Sequence, residues 1–218
     1  MDLKTLKKVF LNLQTFTSDL PVPLVELTMI QTNDPFKVLV ATILSARTKD
    51  SLTITILPKL FEKVKTIDDL KKIKQEQLEK LIYPIGFYKN KAKFLKQLPK
   101  ALDEKFNGVI PQIVEEVVLL PGVGRKTANL VVSVGFDKPA ICVDTHVHKI
   151  MNRFGFLETK NPLETEMELR KKLPQNMWQE TNRIIVAFGQ YQCVPVSPKC
   201  SSCPVKKYCE RKGVMKSR

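Results

Sequence analysis

Residues 119–146 read LLPGVGRKTANLVVSVGFDKPAICVDTH, and this segment decides the fold. An apolar helical pattern opens at Pro111 and carries Val114, Val117 and Val118. Pro121 and Gly122 break it, and a second helix is expected from about Arg125 to Val134. The Gly122-Val123-Gly124 turn between them lets the backbone tighten and leaves N–H groups free at a helix N-terminus, where an anion is favoured. Two familiar phosphate motifs fail on single residues. A P-loop requires Gly directly before Lys-Thr, and Arg125 stands there. A dinucleotide fingerprint requires a preceding strand and a third Gly, and Thr127 takes that place. A helix–hairpin–helix remains: two short helices whose turn grips a DNA phosphate without reading sequence.

Lys126 follows in the first turn of the second helix. On a basic chain it serves equally as one more phosphate contact or as a nucleophile. The positive end of the helix, Arg125 beside it and burial by a substrate would each disfavour its ammonium form. A neutral amine is what nucleophilic catalysis requires. Asp144 lies eighteen residues on and is a natural N-cap for Val147, Ile150, Met151 and Phe154. A capping carboxylate stays ionised and can stabilise a developing cation.

Outward from this segment the chain reads as helical almost throughout. Asp34-Pro35 is a cap followed by Pro at the first helical position, and Phe36, Leu39, Val40, Ile43 and Leu44 then fall on one face. Thr66 caps a short helix with Ile67, Leu70 and Ile73. Leu78, Leu81 and Ile82 mark another, closed by Pro84 and Gly86. Phe94, Leu95, Leu98, Leu102 and Phe106 line the next, which Asn107-Gly108 stops and Pro99 should kink or split. Asn161-Pro162 repeats the cap-plus-Pro device, and a last long helix spans Met177 to about Phe188. Ala140–Val143 carries the one doubtful strand signal.

The chain has 218 residues, with 36 Lys and Arg against 22 Asp and Glu, a formal net charge of +14. That points to nucleic acid first and an anionic membrane second, with a generally lysine-rich surface as the bland alternative. The N-terminus MDLKTLKKVFLNLQTF mixes charge with apolar residues, unlike a signal peptide. No stretch nears the ~20 apolar residues that span a bilayer. An intracellular, monomeric protein is expected, where disulfides are uncommon.

After Tyr191 the composition changes. The tail QCVPVSPKCSSCPVKKYCERKGVMKSR has four cysteines and almost no aliphatic periodicity, so it cannot build its own core. Cys193, Cys200, Cys203 and Cys209 have the spacing C-x6-C-x2-C-x5-C, which suggests a metal site. Zinc and an iron–sulfur cluster both take four cysteines, and a single close pair with two longer arms suits the larger object. Cys142, between Ile141 and Val143, reads as an inert core cysteine. His146 and His148 are two apart and match no zinc motif.

With LPGVGRKTAN at 120–129, VDTH at 143–146, IGFYKNKA at 85–92, LSARTKD at 44–50 and the cysteine tail in that order, the chain resembles the endonuclease III family of helix–hairpin–helix/GPD DNA glycosylases. The resemblance covers nearly the whole chain. It implies an all-α, two-domain fold: a six-helix barrel over 28–138, and a second domain of 1–27 and 139–218 that holds a [4Fe–4S] cluster on the four cysteines. It implies double-stranded DNA carrying a damaged base or abasic site as partner, and a cleft between the domains that takes a flipped-out nucleotide. Lys126 would attack C1′ as the base leaves, Asp144 would stabilise oxocarbenium character, and a Schiff base would permit β-elimination. The lysine favours the branch that is both glycosylase and AP lyase, acting on oxidised pyrimidines. Gly122, Val123, Gly124 and Arg125 would hold the DNA backbone, with Lys199 on the cluster side, and His146 would support the Asp144 loop. Arg47 would fill the gap left by the flipped base. Bacterial members commonly have Gln there, so arginine resembles archaeal members more. Phe87 would wedge between bases, against a bland role in core packing. Two readings compete: the same fold with a mismatched or alkylated base as chief substrate, and a non-catalytic DNA-binding protein with structural zinc.

Overall fold

Helix starts follow local capping chemistry. In the computed structural model, which describes residues 1–218, Asp34 accepts a hydrogen bond from the Phe36 N–H at 2.9 Å and opens a helix at Pro35. Asn161 does the same for Glu164 ahead of Pro162. At Thr66 the cap is reciprocal, with the Asp69 carboxylate accepting from the Thr66 N–H at 2.9 Å. Twelve helices result, in order α1 (Leu3–Thr17), α2 (Leu24–Thr32), α3 (Pro35–Ser45), α4 (Asp50–Lys63), α5 (Ile67–Lys72), α6 (Gln75–Ile82), α7 (Tyr88–Phe106), α8 (Val114–Val117), α9 (Arg125–Leu130), α10 (Thr145–Arg153), α11 (Pro162–Lys172) and α12 (Trp178–Tyr191). A π-helical turn, Val131–Gly135, extends α9, and short 3-10 turns precede α12 and lie in the tail at Lys206–Tyr208. There is no β-strand, so the fold is all-α.

The chain forms two units, each with its own core. Residues 22–140 make one, carrying α2 to α9. Its core gathers Leu39, Ile43 and Leu44 of α3, Leu57 and Leu60 of α4, Leu78 and Ile82 of α6, Leu95, Leu98 and Leu102 of α7, and Val114 and Val117 of α8. Residues 1–21 and 141–218 make the other. There α1 lays Leu6, Val9, Phe10 and Leu13 against a core shared with Val147, Ile150 and Met151 of α10 and Ile184, Ile185 and Phe188 of α12. The boundaries fall at 21/22 and 140/141, not at 27/28 and 138/139. Helix α2 puts Leu24 into the first core, so it cannot go with α1.

Four local expectations are corrected. Pro99 does not split its helix: α7 runs unbroken for 19 residues with Pro99 buried on the same face as Leu95, Leu98 and Leu102. Packing of that face outweighs the missing N–H. Pro111 is buried but lies outside a helix, and α8 begins only at Val114 after an extended Ile113. The regular helix from Arg125 ends at Leu130, where the π-helical turn takes over. Ala140–Val143 is fully buried but pairs with no strand. The Asn182 side-chain amide instead donates to the Cys142 carbonyl at 3.1 Å.

Candidate functional site

The hairpin is built by packing. Val123 and Leu120 are buried, and the Val123 N–H donates to the Leu120 carbonyl at 3.1 Å, which closes the turn. Gly122 has φ +75°, and a Cβ there would stand 2.7 Å from the Phe94 ring of α7, so this position is closed to other residues on both counts. Gly124 differs. It is the N-cap of α9, with φ −95°, and a Cβ there would meet nothing within 4 Å. Nothing inside the protein requires that glycine, so the space in front of the α9 N-terminus is open to a ligand. Arg125 reaches back to Glu115 of α8 at 3.8 Å and ties the two hairpin helices together. Lys126, the second residue of α9, is exposed. Asp50, the first residue of α4, shares its neighbourhood: desolvation raises the Asp50 carboxyl above the usual range, and the charge of Lys126 opposes that shift.

In the same unit, two exposed side chains sit on strained backbone. Arg47, in the loop between α3 and α4, has φ +54°, and Phe87, the N-cap of α7, has φ +59°. Phe87 is 61% exposed, which removes the core-packing reading. The Arg47 guanidinium lies 5.9 Å from the centre of the Phe87 ring, within cation–π range. The structure thus brings together two residues forty positions apart.

In the other unit, Asp144 caps α10. One carboxylate oxygen accepts from the His146 and Val147 N–H groups at 2.8 and 2.9 Å. His146 is held behind it against Gly189 of α12, where a Cβ would fall 2.4 Å from the imidazole Nδ1. His148 pairs with the Thr165 hydroxyl at 2.7 Å, and burial pushes its pKa down.

Cys193, Cys200, Cys203 and Cys209 line one small pocket together with Arg153, Phe154 and Phe188. No three donors close on a single point as one metal ion requires. Burial raises the Cys193, Cys203 and Cys209 thiols, Cys209 to about 11. Arg153 opposes this at Cys193, donating to its sulfur at 3.3 Å and to its carbonyl at 3.2 Å. The same guanidinium donates to the carbonyls of Val194 and Pro195 at 3.0 and 2.7 Å. Lys199 is exposed between the first two cysteines, its backbone paired with Gln192. Cys142 is buried, apart from this cavity.

Sequence reasoning passed over two buried cations, Arg153 and Lys91. Each had a signal. Lys91 occupies the apolar register of α7 with Leu95, Leu98 and Leu102, and Arg153 lies one turn beyond Ile150 on α10. A charged residue on a buried stripe has to be satisfied by something specific.

Comparison with known proteins agrees with this architecture. The chain is 48% identical over 177 residues to the endonuclease III of Thermotoga maritima, covering 81% of this chain and 83% of that one. It is 40% identical to the endonuclease III of Bacillus subtilis, covering 89% and 91%. A solved structure of a trapped endonuclease III–DNA covalent intermediate, an estranged-adenine complex, superposes with a TM-score of 0.85 at 38% identity, over 97% of both chains. Both sequence relatives are bacterial, so the archaeal affinity suggested by Arg47 gains no support. Residues 40–175 match the HhH-GPD superfamily of base excision DNA repair proteins, and the chain belongs to that superfamily and, within it, to the endonuclease III family.

Proposed function

We propose that this protein is a DNA glycosylase and AP lyase that removes oxidised pyrimidines from double-stranded DNA. The carrying observation is an exposed lysine in the first turn of α9, directly behind a glycine turn open to a phosphate, in a chain that superposes throughout on a trapped covalent intermediate.

The chemistry assigns each residue one task. With the Val123 N–H closing the turn on Leu120, the N–H groups of Gly122 and Gly124 and the Arg125 guanidinium hold the backbone phosphate and so fix the sugar beside Lys126. The Lys126 amine attacks C1′ while the C1′–N bond breaks, and the base leaves with the bonding electrons and takes a proton. The Asp144 carboxylate stabilises positive charge developing on the sugar. Ring opening gives a protonated Schiff base between Lys126 and C1′. Loss of a C2′ proton then expels the 3′ phosphate by β-elimination, and water releases the amine. Arg47 faces the orphaned base and Phe87 wedges the stack. Lys199 adds a further backbone contact, and His146 steadies the loop of Asp144.

The four cysteines would hold a [4Fe–4S] cluster. A single zinc requires four sulfurs converging at about 2.3 Å. The single close pair, Cys200 and Cys203, with Cys193 and Cys209 on longer arms around one pocket, supports the larger group. When bound, the cluster supplies iron–thiolate bonds that hold the tail together. The protein acts inside the cell as a monomer on genomic DNA.

Borohydride reduction in the presence of a duplex carrying thymine glycol or an abasic site is expected to yield a covalent protein–DNA adduct with the wild type and none with Lys126→Ala. Equal trapping by both proteins would overturn the assignment. A set of duplexes with single mismatched or alkylated bases distinguishes the oxidised-pyrimidine reading from its neighbour.

A further inference from the structure

Lys91 is 5% exposed, four residues into α7, and its ammonium has no carboxylate partner. Its three hydrogens are fully used. They go to the Leu44 carbonyl at 2.7 Å, the Ala46 carbonyl at 2.6 Å and the Thr48 hydroxyl at 2.9 Å. These acceptors alternate along the chain and straddle Arg47. The first is in the last turn of α3, where carbonyls lack intrahelical donors and a cation is favoured. The ammonium therefore fixes the backbone on both sides of a non-glycine residue held at φ +54°.

The same lysine anchors the other strained residue. Its own N–H donates to the Phe87 carbonyl at 3.0 Å, the first bond of the helix that Phe87 caps at φ +59°. The two loops also touch directly at Gly86, where a Cβ would lie 3.0 Å from the Arg47 carbonyl oxygen and 3.3 Å from the Thr48 hydroxyl. One buried cation thus joins both loops, beneath the contact between the Arg47 guanidinium and the Phe87 ring.

We propose that Lys91 is a positioning residue for DNA distortion: its ammonium locks the Arg47 loop onto the Phe87 cap, so that the two exposed side chains enter the duplex as one preformed wedge. This rests on the DNA-contact roles proposed above for Arg47 and Phe87. Holding both in left-handed backbone before DNA arrives removes an ordering cost from binding. Lysine suits the task because its three hydrogens point at three separate acceptors, whereas a planar guanidinium cannot. The chemical step at Lys126 does not involve it.

The test uses a duplex with a tetrahydrofuran abasic analogue opposite 2-aminopurine, whose fluorescence reports unstacking. Wild type should raise the signal and Phe87→Ala should lose it. If Phe87→Ala keeps it, the wedge reading itself is wrong and the proposal goes with it. Lys91→Met keeps the stem and removes the charge. It should bind the analogue duplex about tenfold or more weakly, the scale of losing hydrogen bonds to a charged group, and lose the fluorescence change. Its borohydride trapping on a single-stranded abasic site, which needs no wedge, should stay within about twofold of wild type. Thr48→Val leaves two of the three acceptors and should fall between, which keeps the test decisive if Lys91→Met does not fold. Where Phe87→Ala loses the signal, unchanged fluorescence with folded Lys91→Met, or with Thr48→Val when Lys91→Met does not fold, overturns the proposal.

Discussion

The glycine hairpin and the cysteine tail are both short, irregular and basic, yet they are held in opposite ways. The hairpin is fastened by apolar packing: Leu120 and Val123 are buried and Gly122 is pressed against Phe94. The tail buries one aliphatic side chain completely, Val205. Cys193, Cys203, Tyr208 and Cys209 lie only partly buried against the core, and polar bonds supply much of the rest, four of them from Arg153 and one from the Gln192 amide to the Lys199 carbonyl at 2.6 Å. The phosphate grip proposed for the hairpin would have to exist before DNA arrives, and the core prefolds that turn. A segment with so little apolar area depends on whatever its cysteines bind.

The sharpest way to break this contrast is Cys203→Ser. Loss of one thiolate should leave a colourless protein whose tail is cut by trypsin at Lys206 and Lys207, with cleavage faster by an order of magnitude or more because the tail's open form is then well populated. Limited proteolysis read by mass spectrometry should show residues 22–140 still protected. Equal protection of the tail in the variant would mean that polar bonds alone hold it.

Within the hairpin, the two glycines separate folding from binding. Gly122→Ala forces a Cβ into the Phe94 ring at positive φ and should cost about 2–3 kcal/mol in chemical denaturation. Gly124→Ala should change stability by less than about 0.5 kcal/mol. It should still weaken binding to an abasic duplex, because its methyl enters the open space before α9. Normal DNA affinity in Gly124→Ala would place the phosphate elsewhere.

Asp144 gives a smaller effect on stability and a larger one on rate. Asn caps a helix about as well as Asp, so Asp144→Asn should keep stability within a few tenths of a kcal/mol, whereas Asp144→Ala should lose about 1 kcal/mol. Both should slow base removal in single-turnover assays, since both lack the charge. Full activity in Asp144→Asn would reduce the residue to a cap.

The least perturbing probe is pH. Burial lowers the Lys91 amine to about 8 from 10.5. Between those values the unfolded chain holds the extra proton, so stability contributed at this site rises with pH across about 8 to 10.5 and is flat below. The difference in unfolding free energy between wild type and Lys91→Met should show that upward slope. A difference independent of pH would mean that the amine is not buried as described.

Much of this was legible because capping and periodicity are local. Asp34, Thr66, Asp144 and Asn161 all open helices where their side chains can reach the following N–H groups. Two of the misreadings share one cause, tertiary packing outweighing local propensity. Pro99 stays helical because its whole face is buried, and Ala140–Val143 runs extended without a partner strand because two cores take its side chains. Lys126 and the cysteines could be singled out as candidates from spacing. Lys91 could not, since its acceptors are backbone carbonyls more than forty residues away, and carbonyls leave no mark in a sequence.

The placement of α1 has a consequence during synthesis. Its apolar face of Leu6, Val9, Phe10 and Leu13 packs on α12, near the far end of the chain. At about 5–20 residues per second, roughly ten to thirty seconds separate the emergence of these two helices from the ribosome. Residues 22–140 can close on themselves in that interval, while the first helix waits with its greasy side uncovered. The unit formed by residues 1–21 and 141–218 should therefore close after residues 22–140 during synthesis.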